Sequence, residues 1–328
     1  MKRKNWLSWL VLLVMGMFVL MSGGCVGGGG NDTPIYEPIP DPDIPDPEGE
    51  WSYDTDITWY NDAQTEFLID TPSKLAGFAR LVNSGNDFEG KIVRLTKPVN
   101  LGAKYWTPIG LSHDGASFSG TFDGQGYAIS NVIVKKQNSG SNFGFFGVNN
   151  QGTLKNINLV DVSISVLNDA DGMAQLWVGG LAGYNYVGTI TNCTVTAGSV
   201  SAATKEWNVL VGGLVGFHRN GTIKDCKSIN VNVSASYIGE ITEDSLWAVC
   251  IGGFVGEIET GTVTNNTVIG GEITSSAGGI APNIRHAHIR GGFTGRVEGS
   301  TVYGNTAVIT PKIGWDVRES PAKSTDNI

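Results

Sequence analysis

The sequence predicts an all-β protein: a parallel β-helix of about three short strands per coil, plugged at its N-terminal end by one helix. Three observations carry this expectation. One motif recurs, as VGGLAG at Val178–Gly183, VGGLVG at Val211–Gly216, IGGFVG at Ile251–Gly256 and RGGFTG at Arg290–Gly295, with a degenerate copy at Phe143–Gly147. The last motif glycines, Gly147, Gly183, Gly216, Gly256 and Gly295, are 36, 33, 40 and 39 residues apart, a period typical of repeat architectures. The chain also holds 46 glycines among 328 residues. Together with its Val, Ile, Thr and Asn, these point to short strands joined by tight turns.

Within each copy one column is always large and apolar: Phe145, Leu181, Leu214, Phe254 and Phe293. It is expected to face inward. The next column, Phe146, Ala182, Val215, Val255 and Thr294, continues in parity to Glu257 and Arg296, so it is expected to face out. The flanking glycines are expected to leave room for the inward side chain and to permit turns with positive φ. A second inward column follows, Leu154, Ile190, Ile223, Val263 and Val302. Two residues on, Asn156, Asn192, Asp225 and Asn265 suit a left-handed turn. A third strand completes the repeat, as at Cys226–Val231. Such a unit cannot bury its own apolar side, so copies stack in parallel, giving six or seven coils from Lys91. A propeller blade has a similar period but needs four antiparallel strands, and three are counted.

The N-terminus reads as an address. Lys2, Arg3 and Lys4 precede an apolar run from Trp6 to Leu20, which fits a signal segment and is short for a membrane span. Met21-Ser22-Gly23-Gly24-Cys25 resembles the lipobox of bacterial lipoproteins, with Ser22 where that family usually has Leu. The resemblance implies cleavage before Cys25, a diacylglycerol on its thiol, and a chain held at the cell surface or outer membrane. An ordinary secretory signal with an incidental cysteine is the alternative. The domain plan is therefore a signal peptide at 1–24, a Gly/Pro-rich stalk at 25–50, a lead-in segment with a capping helix at 51–90, the β-helix at 91–314, and a cap or disordered tail at 315–328. The stalk contains IPDPDIPDP, an extended semi-rigid spacer. Thr71 and Pro72 open the helix, Leu75, Phe78, Ala79 and Val82 give it one apolar face, and Asn83-Ser84-Gly85 ends it. Ile313 and Trp315 are expected to shield the last coil.

Beyond the helix come Trp106-Thr107-Pro108-Ile109-Gly110 and the run from Phe118 to Asn131, FSGTFDGQGYAISN. With the helix ending VNSG and the GGLVG…GTI repeats, these resemble the GLUG-motif family of bacterial surface proteins. That repeat also occurs in the non-catalytic N-terminal region of some IgA-cleaving metallopeptidases. The resemblance covers roughly residues 65–310. It implies a right-handed parallel β-helix (solenoid) on a secreted or surface-attached protein with an adhesin role.

The net charge of −9, without a Lys/Arg cluster, argues against nucleic acid as a partner. Cys193 and Cys226 share a repeat position with Ile157, Asn266 and Asn305. A disulfide between stacked neighbours is within reach but strained, so two buried thiols are favoured. His113, His218, His286 and His288 form no ligand set with a third partner; the His286/His288 pair is read as exposed strand residues, and no HExxH occurs. No metal and no cofactor are expected. Asp169 with Asp171, and Glu240, Glu243 and Asp244, read as solvated turn charges rather than a catalytic carboxylate set. No catalytic residues are assigned. The candidate binding residues are Trp177, Trp207 and Trp247, which lie in or beside insertions preceding the GG motifs and are suited to stack on a sugar or anchor a protein. The expectation is a lipid-anchored surface protein of adhesin or binding type, not an enzyme, recognising a glycan or a host or microbial surface protein. A carbohydrate-active enzyme on a β-helix and a passive envelope component are the alternatives.

Overall fold

The structure is a computed structural model. It describes residues 54–102, 104–138, 140–171, 175–205, 208–239, 248–277 and 287–308, all within the unit Pro45–Ile328. The signal peptide, Cys25, the stalk, Trp207, Trp247, His286, the Glu240/Glu243/Asp244 group, Ile313, Trp315 and the tail lie outside the described residues.

The described chain is a parallel β-helix. Every strand pair among the described residues is parallel, from Glu66–Ile69 on Ile92–Leu95 to Thr267–Ile269 on Thr306–Val308, which excludes antiparallel blades. The strands form sheets of ten, five and eight strands. The five-stranded sheet runs through Asn142–Phe143, Leu176–Gly179, Val209–Gly212, Ala248–Gly252 and Ala287–Gly291. It marks about four full turns; earlier rungs, starting with Glu66–Ile69, occupy only the other two sheets.

One coil shows the logic. From Leu176–Gly179 the chain turns at Gly180-Leu181 into Ala182–Tyr186, bends at Val187-Gly188 into Thr189–Thr191, and turns at Asn192 into Thr194–Thr204. Phe145, Leu181, Leu214, Phe254 and Phe293 face inward and are fully buried. Phe254 stacks on Phe293 at 4.7 Å between ring centroids, and Phe145 on Trp106 at 5.2 Å. The expected left-handed turns are present at Asn156, Asn192, Asp225 and Asn265, with φ between 52° and 58°.

Two expectations fail at the motif. Phe146, Ala182, Val215, Val255 and Thr294 do not face out; all are fully buried. The chain changes sheets at the preceding residue, so the simple alternation of a continuous strand does not cross the corner and both neighbours point inward. Nor do the motif glycines serve positive φ: Gly179, Gly180, Gly183 and Gly216 are absent from the left-handed positions. They permit close backbone approach. A Cβ on Gly256 would lie 2.7 Å from the Val211 nitrogen, and one on Gly295 2.7 Å from the Ile251 nitrogen. Gly183 and Gly216 meet the preceding coil's backbone in the same way.

The helix Pro72–Asn83 is capped by Thr71, whose hydroxyl accepts from the Lys74 N–H, and has Pro in its first turn. Its buried face holds Leu75, Phe78, Ala79 and Val82. Phe78 stacks on Phe122 at 5.6 Å and meets Phe88 and Phe118 edge-on, so the helix closes the first rungs. Asn83 bonds both the Pro108 carbonyl (3.0 Å) and the Gly110 N–H (2.8 Å), which ties the helix end to WTPIG. Among the described residues no helix is long and apolar enough to cross a membrane.

Backbone cannot retreat from a new methyl as a side chain can. Gly216→Ala should therefore destabilise the fold by ~1–3 kcal/mol or more, and Leu214→Ala by about 3–5 kcal/mol. Denaturant unfolding monitored by far-UV circular dichroism would measure both.

Candidate functional site

The corner at the motif is re-entrant, and its outer side forms a groove. Trp177 projects outward from the five-stranded sheet, and Tyr184 and Phe217 from the ten-stranded sheet. Yet the Trp177 ring lies 4.6 Å from Tyr184 and 5.1 Å from Phe217. Outward side chains of two sheets touch only where the sheets fold toward each other. Glycine at the vertex makes that angle possible.

Register then fixes the lining. One wall stacks Asn142, Trp177, Leu210 and Cys250 on successive coils. The other stacks Val148, Tyr184, Phe217, Glu257 and Arg296, with Asn150, Tyr186, Arg219, Glu259 and Glu298 beside them. Val148, Tyr184, Leu210, Phe217 and Cys250 form an apolar cluster separate from the main core, with Trp177 and Tyr186 packed against it. Tyr184 and Phe217 stack at 5.2 Å with 9° between planes. His113, from the loop after WTPIG, meets Tyr186 at 4.6 Å. Trp177, Tyr186 and His113 are half-buried, whereas Tyr184 and Phe217 are buried. Burial raises the Tyr184 hydroxyl above its usual range against the opposing Arg219 charge. Arg219 pairs with Glu259 at 3.4 Å, and Arg296 with Glu257 at 3.4 Å. Along its axis the groove thus passes from amides, through rings, to paired charges.

Of the expected binding residues, Trp177 sits in this groove as a strand residue. Tyr184, Tyr186, Phe217 and Arg219 were missed by sequence reading. They follow the last motif glycine, and Tyr184 and Phe217 share the column of Glu257 and Arg296 that was expected to face out; aligned copies do not show the angle that brings this face against Trp177. Pairing passes from Ala182↔Val215 to Tyr184↔Phe217 and omits the glycines between.

Two polar ladders lie inside the coil. In one, Asn149 donates to the Gly152 carbonyl (3.1 Å) and to Asn185 Oδ1 (2.6 Å); Asn185 donates to the Gly188 carbonyl (3.0 Å) and faces His218 Nδ1 (2.9 Å). All three residues are fully buried. His218 is thus an interior residue of the strand Val215–Lys224. His288 pairs with Val249 in the five-stranded sheet. In the other ladder Cys193 and Cys226 are free, as expected. Their thiols point the same way, to the Thr191 carbonyl (3.3 Å) and the Lys224 carbonyl (3.1 Å). Asn266 and Asn305 continue the column. Burial, with Cys226 alongside, pushes the Cys193 thiol up. Asp169 accepts from Asn138 and Gln137, and Asp171 pairs with Lys205. Among the described residues no group of three or more His, Cys, Asp or Glu is arranged to hold a metal.

The fold and groove define a class: a stacked parallel β-helix whose repeat corner is re-entrant. Within that class the repeat itself is recognised. Residues 178–201 match the family model of the GLUG motif, and they run from the end of Leu176–Gly179 through the motif corner, the bend at Val187-Gly188 and the turn at Asn192 into Thr194–Thr204. The fold is similar to a crystal structure of a Bacteroides ovatus protein provisionally named an immunoglobulin A1 protease. The TM-score is 0.53 at 18% identity, over 76% of this chain and 68% of that one. No curated protein matches the sequence.

A buried, protonated thiol does not react. Cys193 and Cys226 should stay unlabelled by iodoacetamide in the native protein and both label after denaturation without reductant. Intact mass with peptide mapping would show this; a bridged pair would remain unlabelled.

Proposed function

We propose that this chain is a lipid-anchored surface protein of binding type, and that the groove lined by Trp177, Tyr184, Tyr186 and Phe217 is its recognition surface. The observation that carries this reading is the convergence of rings from two sheets on adjacent coils. Trp177 and Tyr186 keep part of their surface in reach of solvent, beside polar His113 and Arg219. Rings suit the C–H faces of a sugar, and charged and amide groups along the rim suit its hydroxyls. A glycan lying along the coil axis is the occupant this chemistry favours, and a surface protein presenting a loop is the second. The chain acts by display and binding, without chemistry of its own, and Cys25 carries the lipid that holds it at the membrane.

Binding should be detected on a glycan array, and Trp177→Ala with Tyr186→Ala should lower affinity at least about tenfold, as losing an aromatic anchor does. Unchanged binding in the double variant, or no binding on the array and none to surface proteins, would remove the groove from consideration. For the anchor, Cys25→Ser should abolish incorporation of radiolabelled palmitate and release the protein from the membrane fraction; labelling that persists in the variant would refute it.

A further inference from the structure

His218 occupies a ladder position that its neighbours below fill with asparagine. Register pairs Asn149, Asn185, His218 and then Ile258 on successive coils. The direction of this ladder is fixed by the backbone. A carbonyl oxygen can only accept, so the Gly152 and Gly188 carbonyls hold the NH₂ groups of Asn149 and Asn185 toward themselves. Asn149 Nδ2 also donates to Asn185 Oδ1, which fixes the second amide once more. Asn185 therefore presents an N–H to His218 Nδ1, and that nitrogen must accept. The imidazole is neutral, with its proton on Nε2, a buried nitrogen that has no hydrogen-bond partner among the described residues.

A second proton breaks this arrangement. It would set an N–H on His218 Nδ1 against the N–H of Asn185 at 2.9 Å. Turning the Asn185 amide over would give the new N–H an acceptor in Asn185 Oδ1, but it would oppose that oxygen to the Gly188 carbonyl and the NH₂ to that of Asn149. One proton therefore costs the ladder one hydrogen bond if the amide stays and two if it turns. Burial opposes the charged ring and outweighs the Gly221 carbonyl, which favours it, and no countercharge compensates. The strand Ala182–Tyr186 presents Asn185 to the ring, and Val255–Thr264 presents Ile258 and Gly261. On its own strand Arg219 lies on the opposite face, paired with Glu259. Among the described residues no titratable or charged group faces the imidazole.

We propose that the Asn149–Asn185–His218 ladder is an acid-operated latch: protonation of His218 reverses its bonding and loosens the strand Val215–Lys224, which carries Phe217 and Arg219 into the groove. Burial lowers the imidazole to a pKa of about 4, from 6.5. The unfolded or opened chain therefore takes the proton first. Stability is intact above about pH 6.5, falls as pH drops toward 4, and levels off below. This window lies above that of the carboxylates. Asp123 is held below its usual range: burial opposes its charge, but hydrogen bonds from Asn156 and the Gln125 N–H, with the Lys155 ammonium, outweigh it. Its contribution is lost only at lower pH.

The test compares the wild-type protein with His218→Asn, which extends the asparagine ladder by one rung. Between pH 6.5 and 4 the wild-type opening constant should rise about 80-fold more than that of H218N. Hydrogen exchange, corrected for intrinsic rate, should show amides of 215–224 losing protection before those of Glu66–Ile69. If H218N does not fold, ¹⁵N chemical shifts of the wild-type imidazole decide the matter, with titration expected near pH 4 and Nδ1 unprotonated at neutral pH. Titration near 6.5, a protonated Nδ1 at neutral pH, equal pH dependence of the two proteins, or loss of protection that is uniform along the chain would each overturn the proposal.

Discussion

The structure depends on one close approach: the backbone of each coil passes against the backbone of the coil before it at the last glycine of every motif. Nothing larger than hydrogen fits there, because the opposing atoms are main-chain nitrogen and carbonyl groups. That approach sets the angle between the five- and ten-stranded sheets. The angle directs two successive residues, such as Leu181 and Ala182, into the core, and it folds the outer faces toward each other. Core and groove are thus two sides of one corner. A side chain at Gly216 would push the walls apart, weakening the inner packing and opening the contact of Trp177 with Phe217.

Stacking in register turns single side chains into columns, and each column has its own chemistry. Rings stack where the column is apolar, as in Phe254 on Phe293. Amides stack where a corner leaves carbonyls inside, as in Asn266 on Asn305. Buried polar groups are mostly paired, and an asparagine ladder does this from coil to coil, because an amide such as Asn185 or Asn266 can both donate and accept. Cysteine and histidine are substitutions within such ladders. The cysteines keep the same direction by donating to carbonyls. The histidine keeps it only while neutral.

The interior ladders also explain turns that local preference does not favour. Val187 and Thr260 adopt left-handed backbone with φ of 55° and 56°, although β-branched residues rarely do. The neighbouring coil holds them there. The Val187 N–H donates to the Arg219 carbonyl at 2.8 Å, and the side chain of Asn185 occupies the Gly188 carbonyl across the bend. The turn belongs to the stack rather than to its own four residues.

The sequence by itself determined that the chain repeats, that the repeat is strands, that Leu181, Leu214, Phe254 and Phe293 face inward, that Asn192 and its equivalents turn left-handed, and that a helix with Phe78 on its apolar face plugs the first rungs. Each of these rests on local chemistry or on a column visible in aligned copies. Only the tertiary structure decided which way the corner bends. Alternation tells inside from outside along one strand, but it is lost at a change of sheet, where Leu181 and Ala182 both turn in and Gly183 drops out of register. The outward parity of Tyr184 and Phe217 was legible, but their meeting with Trp177 was not. Their meeting depends on an angle between sheets, and the angle depends on backbone atoms that are some 38 to 45 residues distant along the chain.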